Sequence, residues 1–266
     1  MNNLLLKIAY DGSGFHGWQR QPGLRTVQGV LEEKLEYIVR APVQIEGTSR
    51  TDAGVHALGQ CATLRGDFGI PADRIPLALN NLLSDIAILS AEEKPEGFHA
   101  RFSAAGKTYA YRFAVSPPNE IFLRNYACIL AKSPNIDKMN EAAKYLEGTH
   151  DFACFRAAGG AEPESTVRTI FAARITKGTG KDPAGAPYET VESEVTGDGF
   201  LYNMVRIIAG TLAEVGSGKI RPEEIADIIA AKDRALAGPT APPGGLYLKE
   251  VYFDNKALIA HAGENE

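Results

Sequence analysis

The stretch Lys107-Thr108-Tyr109-Ala110-Tyr111-Arg112-Phe113-Ala114-Val115 most constrains this chain, because it alternates with a period of two and is rich in aromatic residues. That pattern predicts a β-strand, and it places Tyr109 and Tyr111 on one face. Ser116-Pro117-Pro118-Asn119 stops the strand with turn residues. A strong strand with such a stop near the middle of 266 residues predicts a crossing between two domains, 1–104 and 105–266. The length agrees, at roughly 100–200 residues per domain.

Each half mixes helix and strand patterns. In the first, Leu4–Tyr10 reads as a strand stopped by Asp11-Gly12-Ser13-Gly14. Val27, Val30, Leu31, Leu35 and Ile38 then recur at helical spacing, with Thr26 as N-cap and Glu32, Glu33 and Glu36 on the outer face. Strands are expected at Val43–Thr48, Gln60–Leu64 and Ile86–Leu89, and a helix at Ala72–Leu83 carrying Ile75, Leu79 and Leu82 inward. The second half offers helices at Ile136–Leu146, Leu201–Val215 and Pro222–Ala231, and strands at Arg168–Ile175, Val191–Thr196 and Gly245–Phe253. Lys177–Pro187 reads as a flexible hairpin excursion and Ala237–Gly244 as a stiff connector. The texture is α+β in both halves.

Composition excludes several classes. With 44% hydrophobic and 23% charged residues, the chain matches ordinary globular proteins. A formal charge of −5 excludes a uniformly basic coat for nucleic acid, leaving a local basic cleft as the alternative. The start Met1–Lys7 lacks the apolar region and cleavage site of a secretory signal, and no apolar run approaches the ~20 residues of a membrane helix. A cytoplasmic protein with no membrane contact is expected. Cys61, Cys128 and Cys154 are widely spaced with no C-x-x-C pair, which predicts reduced, half-buried thiols.

The densest reactive cluster is Gly47-Thr48-Ser49-Arg50-Thr51-Asp52-Ala53-Gly54-Val55-His56. Three chemistries fit its residue types. Ser49, Asp52 and His56 are those of a hydrolytic triad, but a nucleophile elbow needs glycines two positions either side of the serine, and Thr51 stands at one of them. Asp52 and His56 are spaced as two ligands on one helical turn, yet no further histidine completes a ligand set, so no metal is expected. The third chemistry is a carboxylate nucleophile or electrostatic catalyst, held ionised by a neighbouring arginine.

The run Ser49-Arg50-Thr51-Asp52-Ala53-Gly54-Val55-His56-Ala57 resembles the catalytic motif of the TruA family of tRNA pseudouridine synthases. The resemblance continues in family order through Tyr10-Asp11-Gly12, Gly17-Trp18-Gln19-Arg20-Gln21, Phe98–Ala104, Tyr109-Ala110-Tyr111-Arg112, Asp151-Phe152, Asn203-Met204-Val205-Arg206, Ala230–Arg234 and Gly245-Leu246-Tyr247-Leu248. It implies isomerisation of uridine to pseudouridine at positions 38, 39 and 40 in the anticodon arm of tRNA, by a homodimer, without metal or organic cofactor. It implies two ferredoxin-like α/β halves forming a mixed, mainly antiparallel sheet with a central cleft. Asp52 matches the nucleophile, Arg50 the arginine that fills the space of a flipped-out base, and Tyr109 the tyrosine stacked on that base. Leu246 matches the apolar residue behind the base. Arg206 matches the arginine that partners the aspartate.

The residues around Arg206 support its role separately. Leu201, Met204, Val205, Ile208, Leu212 and Val215 form one apolar stripe, while Ile207, Ala209 and Gly210 leave little polar surface on the other side. A covered arginine there wants a carboxylate. The rival from another class is a non-catalytic tRNA-binding and folding chaperone on the same scaffold; intact Arg50, Asp52, Tyr109 and Arg206 argue for catalysis.

Overall fold

The structure is a computed structural model that describes residues 2–66 and 68–263. The chain forms two compact units: Met1–Ala105 with Tyr247–Asp254, and Gly106–Leu246 with Asn255–Glu266. The late strand segment Tyr247–Asp254 thus packs with the first unit.

In the first unit, β1 (Asn2–Tyr10) lies between β3 (His56–Gly66) and β4 (Ile86–Glu93), antiparallel to both. Strand β2 (Ile45–Gly47) pairs antiparallel with β3, and β10 (Leu246–Tyr252) runs parallel to it, Tyr247 opposite His56. Leu4, Leu5, Leu6 and Ile8 are all buried. An unbroken apolar run is the signature of a strand covered on both faces, and β1 is that strand.

Helix α1 (Val27–Val39) starts where Thr26 Oγ1 accepts the Gly29 N–H at 3.2 Å, a cap that contributes about 1 kcal/mol. Val27, Leu31 and Leu35 face inward as the spacing requires. Glu32 departs from expectation, being only 4% exposed. Its carboxylate accepts the Ile45 N–H at 3.1 Å and pairs with Arg20 at 2.8 Å, so it satisfies the edge of β2 instead of facing water. Helix α2 (Ile75–Asn80) is shorter than its pattern, preceded by a 3-10 turn at Ala72–Arg74. Leu82 falls beyond it and is exposed, while Ile75 and Leu79 are buried.

The second unit has an antiparallel sheet in the order β5 (Gly106–Val115), β9 (Pro187–Gly197), β8 (Val167–Lys181) and β7 (Gly148–Asp151), with β6 (Cys128–Leu130) parallel to β5. Both units are therefore mixed, mainly antiparallel α+β structures. Helices α3 (Ile136–Lys144), α4 (Met204–Gly216), α5 (Glu224–Ala231) and α6 (Asn255–Gly263) complete the second unit. The excursion at Lys177–Pro187 is less free than its glycines suggest, because β8 and β9 stay paired to Lys181 and Pro187. The turn between them is closed by Asp182 Oδ1, which accepts the Ala184 and Ala186 N–H groups at 2.9 Å each. Strands β6 and β7 and helix α6 have no counterpart in the sequence pattern. The two strands are too short for periodicity to register.

Candidate active site

The loop from Gly47 to His56 leaves β2 and enters β3, and its neighbours fix nearly every residue. Gln60, fully buried on β3, donates from Nε2 to the Ser49 carbonyl at 2.8 Å and accepts the Ser49 N–H at 3.3 Å. Thr48 Oγ1 donates toward the Cys61 and Ala100 carbonyls at 3.0 and 3.2 Å. The Thr51 hydroxyl meets the Tyr10 hydroxyl at 2.8 Å, and the Thr51 carbonyl accepts the Trp18 N–H at 3.0 Å. Val55 N–H closes the turn onto the Asp52 carbonyl at 3.1 Å. Ser49 and Thr51 are buried, while Asp52 is half-buried and Arg50 exposed. The loop thus buries its three hydroxyl residues, Thr48 and Thr51 bonded through their hydroxyls and Ser49 through its backbone, while Arg50 is exposed.

His56 is a brace. Its Nδ1 accepts the Gly12 N–H at 3.0 Å, and its ring stacks on Tyr247 with centroids 4.7 Å apart. Asp11 Oδ1 lies 3.3 Å from the same nitrogen. Ser49 is held through its backbone, by Gln60. The thiols are inert: burial pushes Cys61 up to about 12 and Cys154 up to about 11, far from the thiolate that a nucleophile requires.

In the second unit, Tyr109 on β5 is 8% exposed, with its ring edge-on to Phe200 at 5.1 Å. Tyr111, two residues on, is fully buried and donates to the Pro242 carbonyl at 2.7 Å; burial holds its phenol protonated. The two aromatics divide as structural Tyr111 and edge Tyr109. Leu246 starts β10 and is buried.

Arg206 is half-buried on α4. Its Nε donates to the Ala241 carbonyl at 2.8 Å, and Nη1 donates to Asn203 Oδ1 at 2.7 Å. Asn203 takes the left-handed conformation, φ 59°, which asparagine tolerates better than most residues. The covered face expected around Arg206 is present: Ile207, Ala209 and Gly210 are buried. What covers it includes the connector 237–244. Ala241 N–H returns to the Arg206 carbonyl at 3.1 Å, Gly238 N–H donates to Thr211 Oγ1 at 2.9 Å, and Arg234 holds the Gly238 carbonyl at 2.9 Å.

The sequence names Arg50, Asp52, Tyr109, Arg206 and Leu246 as candidates and places Thr48, Tyr10 and Asn203 in the same motifs, but it gives no supporting role to these three and does not single out Gln60, which bonds Ser49. A polar residue inside an apolar strand pattern, as Gln60 is in β3, was the available signal. Among the described residues, no group of three or more His, Cys, Asp or Glu side chains gathers as a metal site, and no helix is long and apolar enough to cross a membrane.

The first unit thus holds a half-buried carboxylate, Asp52, two residues from exposed Arg50, and the second holds half-buried Arg206 on α4. Comparison with known proteins makes this specific. The model of the tRNA pseudouridine synthase family matches residues 7–103 and 142–254. The chain is 46% identical over 254 residues to a tRNA pseudouridine synthase A of Ruminiclostridium cellulolyticum, covering 95% of this chain and 100% of that one. Enzymes of the same name from Bacillus pumilus and Bacillus subtilis are 47% and 46% identical over 251 residues, each covering 93% of this chain and 98% of the relative. The chain belongs to the tRNA pseudouridine synthase family and is an isomerase of uridine in tRNA.

Proposed function

We propose that this chain forms pseudouridine at positions 38, 39 and 40 in the anticodon arm of tRNA, with Asp52 as nucleophile. The observation that supports the reading is the alternation in the loop: Ser49 and Thr51 are buried and hydrogen-bonded, while Arg50 is exposed and Asp52 half-buried. The reaction breaks the N1–C1′ bond, turns the retained uracil and joins C5 to C1′; the C5 proton leaves and N1 gains one. Asp52 supplies the electron pair by attack on C1′, as carboxylates do in retaining glycosidases, or on C6; removal of a ribose proton is the third route.

A base within a stem must first leave the stack, at an unstacking cost of a few kcal/mol. Exposed Arg50 fills the vacated space, Tyr109 stacks on the flipped uracil and assists removal of the C5 proton, and Leu246 provides apolar backing. In this reading Arg206 is the arginine that partners the aspartate, as the family resemblance implies. No organic cofactor enters this scheme. The chain acts as a homodimer in the cytoplasm, so that two modest basic patches add their affinity for one tRNA.

The test is an unmodified tRNA transcript incubated with the protein in EDTA, with pseudouridine mapped by carbodiimide primer extension. Wild type gives stops at 38 to 40, and Asp52→Asn abolishes them while retaining tRNA binding. Turnover by Asp52→Asn removes the nucleophile assignment, and salt-sensitive binding without any stop favours the chaperone.

A further inference from the structure

We infer that Phe102, backed by Arg101 and His99, is a preformed platform on which an unpaired nucleobase of the tRNA stacks. The inference rests on the proposed reading only for its location beside the Asp52 loop. Phe102 is 76% exposed, on a turn of the first unit. Single exposed apolar residues are ordinary, so exposure alone says little. The turn that carries this one is not ordinary.

Its backbone is fastened at successive residues. The Phe98 carbonyl accepts from Asn3 Nδ2 at 2.9 Å and Arg65 Nη2 at 3.2 Å. The Ala100 N–H donates to Thr63 Oγ1 at 2.6 Å, and the Ser103 N–H donates to the His99 carbonyl at 2.8 Å. A segment so fixed does not lend its aromatic tip to the core by local motion. The ring has company suited to a base: the Arg101 guanidinium lies 5.5 Å from its centroid, and the His99 ring lies 4.5 Å away. His99 is itself set by the Arg101 N–H on Nδ1 at 3.1 Å and by Glu46 at 3.0 Å from Nε2.

The position of the turn ties it to the catalytic loop. Thr48 Oγ1, two residues before Arg50, bonds the Ala100 carbonyl, two residues before Phe102. One hydroxyl thus links both outward-facing arms. A largely exposed aromatic ring with a guanidinium over it is the chemistry by which proteins hold unstacked RNA bases, and an apolar protein partner has no use for the cation. The occupant is a base made available by the loop or by the distortion that flips the target.

The test uses the full-length protein and an unmodified tRNA transcript. Stacking of one base is worth enough for Phe102→Ala to weaken tRNA binding about tenfold, raising KM with kcat little changed, while Phe102→Tyr restores affinity. In Phe102→Trp, the fluorescence above that of wild type, whose one tryptophan, Trp18, is buried, is quenched on adding tRNA. Thermal midpoints serve as the folding control. Unchanged affinity in Phe102→Ala with no quenching in Phe102→Trp overturns the platform, as does a loss that Phe102→Tyr does not rescue. Concentration-dependent self-association that Phe102→Ala removes without touching affinity overturns it in favour of contact between copies. Failure of the proposed reading is separate, since it is read from the mapped stops of wild type.

Discussion

The loop that carries Asp52 and the helix turn that carries Arg206 are held by different mixtures of side-chain and main-chain bonds. Asp52's neighbours are gripped by side chains: Gln60 on Ser49, Tyr10 on Thr51, and the His56 brace on Gly12. Arg206 is gripped chiefly by main chain, through two bonds between its own groups and Ala241 on the connector 237–244. Side chains fix a loop only when every register is right, so a single substitution undoes them. A main-chain clamp is indifferent to most side chains but demands that two backbones come close. Each region has a position where an added side chain would meet backbone at the shortest distance.

Those positions give the largest effects. A Cβ at Gly12 would stand 1.9 Å from the Val55 carbonyl oxygen, and one at Gly210 would stand 1.9 Å from that of Pro239. Neither oxygen belongs to a flexible side chain, so the backbone must move. Gly12→Ala and Gly210→Ala should each lose about 3 kcal/mol or more of stability, at the upper end of overpacking, measured by urea unfolding. Wild-type stability in Gly210→Ala would show that the connector yields, and would remove the main-chain clamp as the reason Arg206 is oriented.

Next in size is the contrast between the two kinds of grip. Gln60→Leu keeps the volume but leaves the Ser49 N–H and carbonyl without their partner, which costs about 2–3 kcal/mol and should lower kcat. Asn203→Gly keeps the left-handed backbone and removes one side-chain bond to Arg206, while the Ala241 bonds remain. It should cost about 1 kcal/mol and lower kcat only a few-fold. Equal effects of the two substitutions, read by unfolding and by single-turnover kinetics, would erase the distinction between side-chain and main-chain support.

The same distinction explains what was legible in the sequence. Arg50, Asp52, Tyr109, Arg206 and Leu246 stand in contiguous motifs, and the covered face of α4 followed from Ile207, Ala209 and Gly210. The α+β texture of both units was also legible, because most of their elements are long enough to show a period; the mixed, mainly antiparallel pairing came only from the family resemblance. The residues that grip were not. Gln60 reaches Ser49 only through the pairing of β2 with β3, and Glu32 is buried only because Ile45 ends beside it. Ala241 reaches Arg206 from 35 residues away. Tertiary partners of this kind leave no periodicity, so the helix pattern assigned Glu32 to water and the proline-rich connector looked passive.

The smallest effects concern charge, and one lowered carboxylate from each unit can be compared. In the first, Ser84 and then Arg25 hold Asp85 below the ordinary value of 3.8; in the second, Lys232 and then Thr166 do the same for Asp151. A carboxyl whose folded-state pKa is depressed binds its proton less readily than the unfolded chain does. Its contribution is therefore complete above the unfolded value and is lost as pH falls through the folded one. Both carboxylates are partly open to water, with side-chain exposures of 40% for Asp85 and 26% for Asp151, so solvent screening keeps each contribution small. Thermal midpoints followed from about pH 5 down to about pH 2.5 should fall for wild type, and Asp85→Asn and Asp151→Asn should each flatten part of that fall while lowering the midpoint at neutral pH. The Asp151→Asn effect should be the larger, because its ion pair with Lys232 at 2.8 Å is the less exposed on the acidic side. A steeper acid slope in either variant would reverse the sign and contradict the depressed value for that carboxyl.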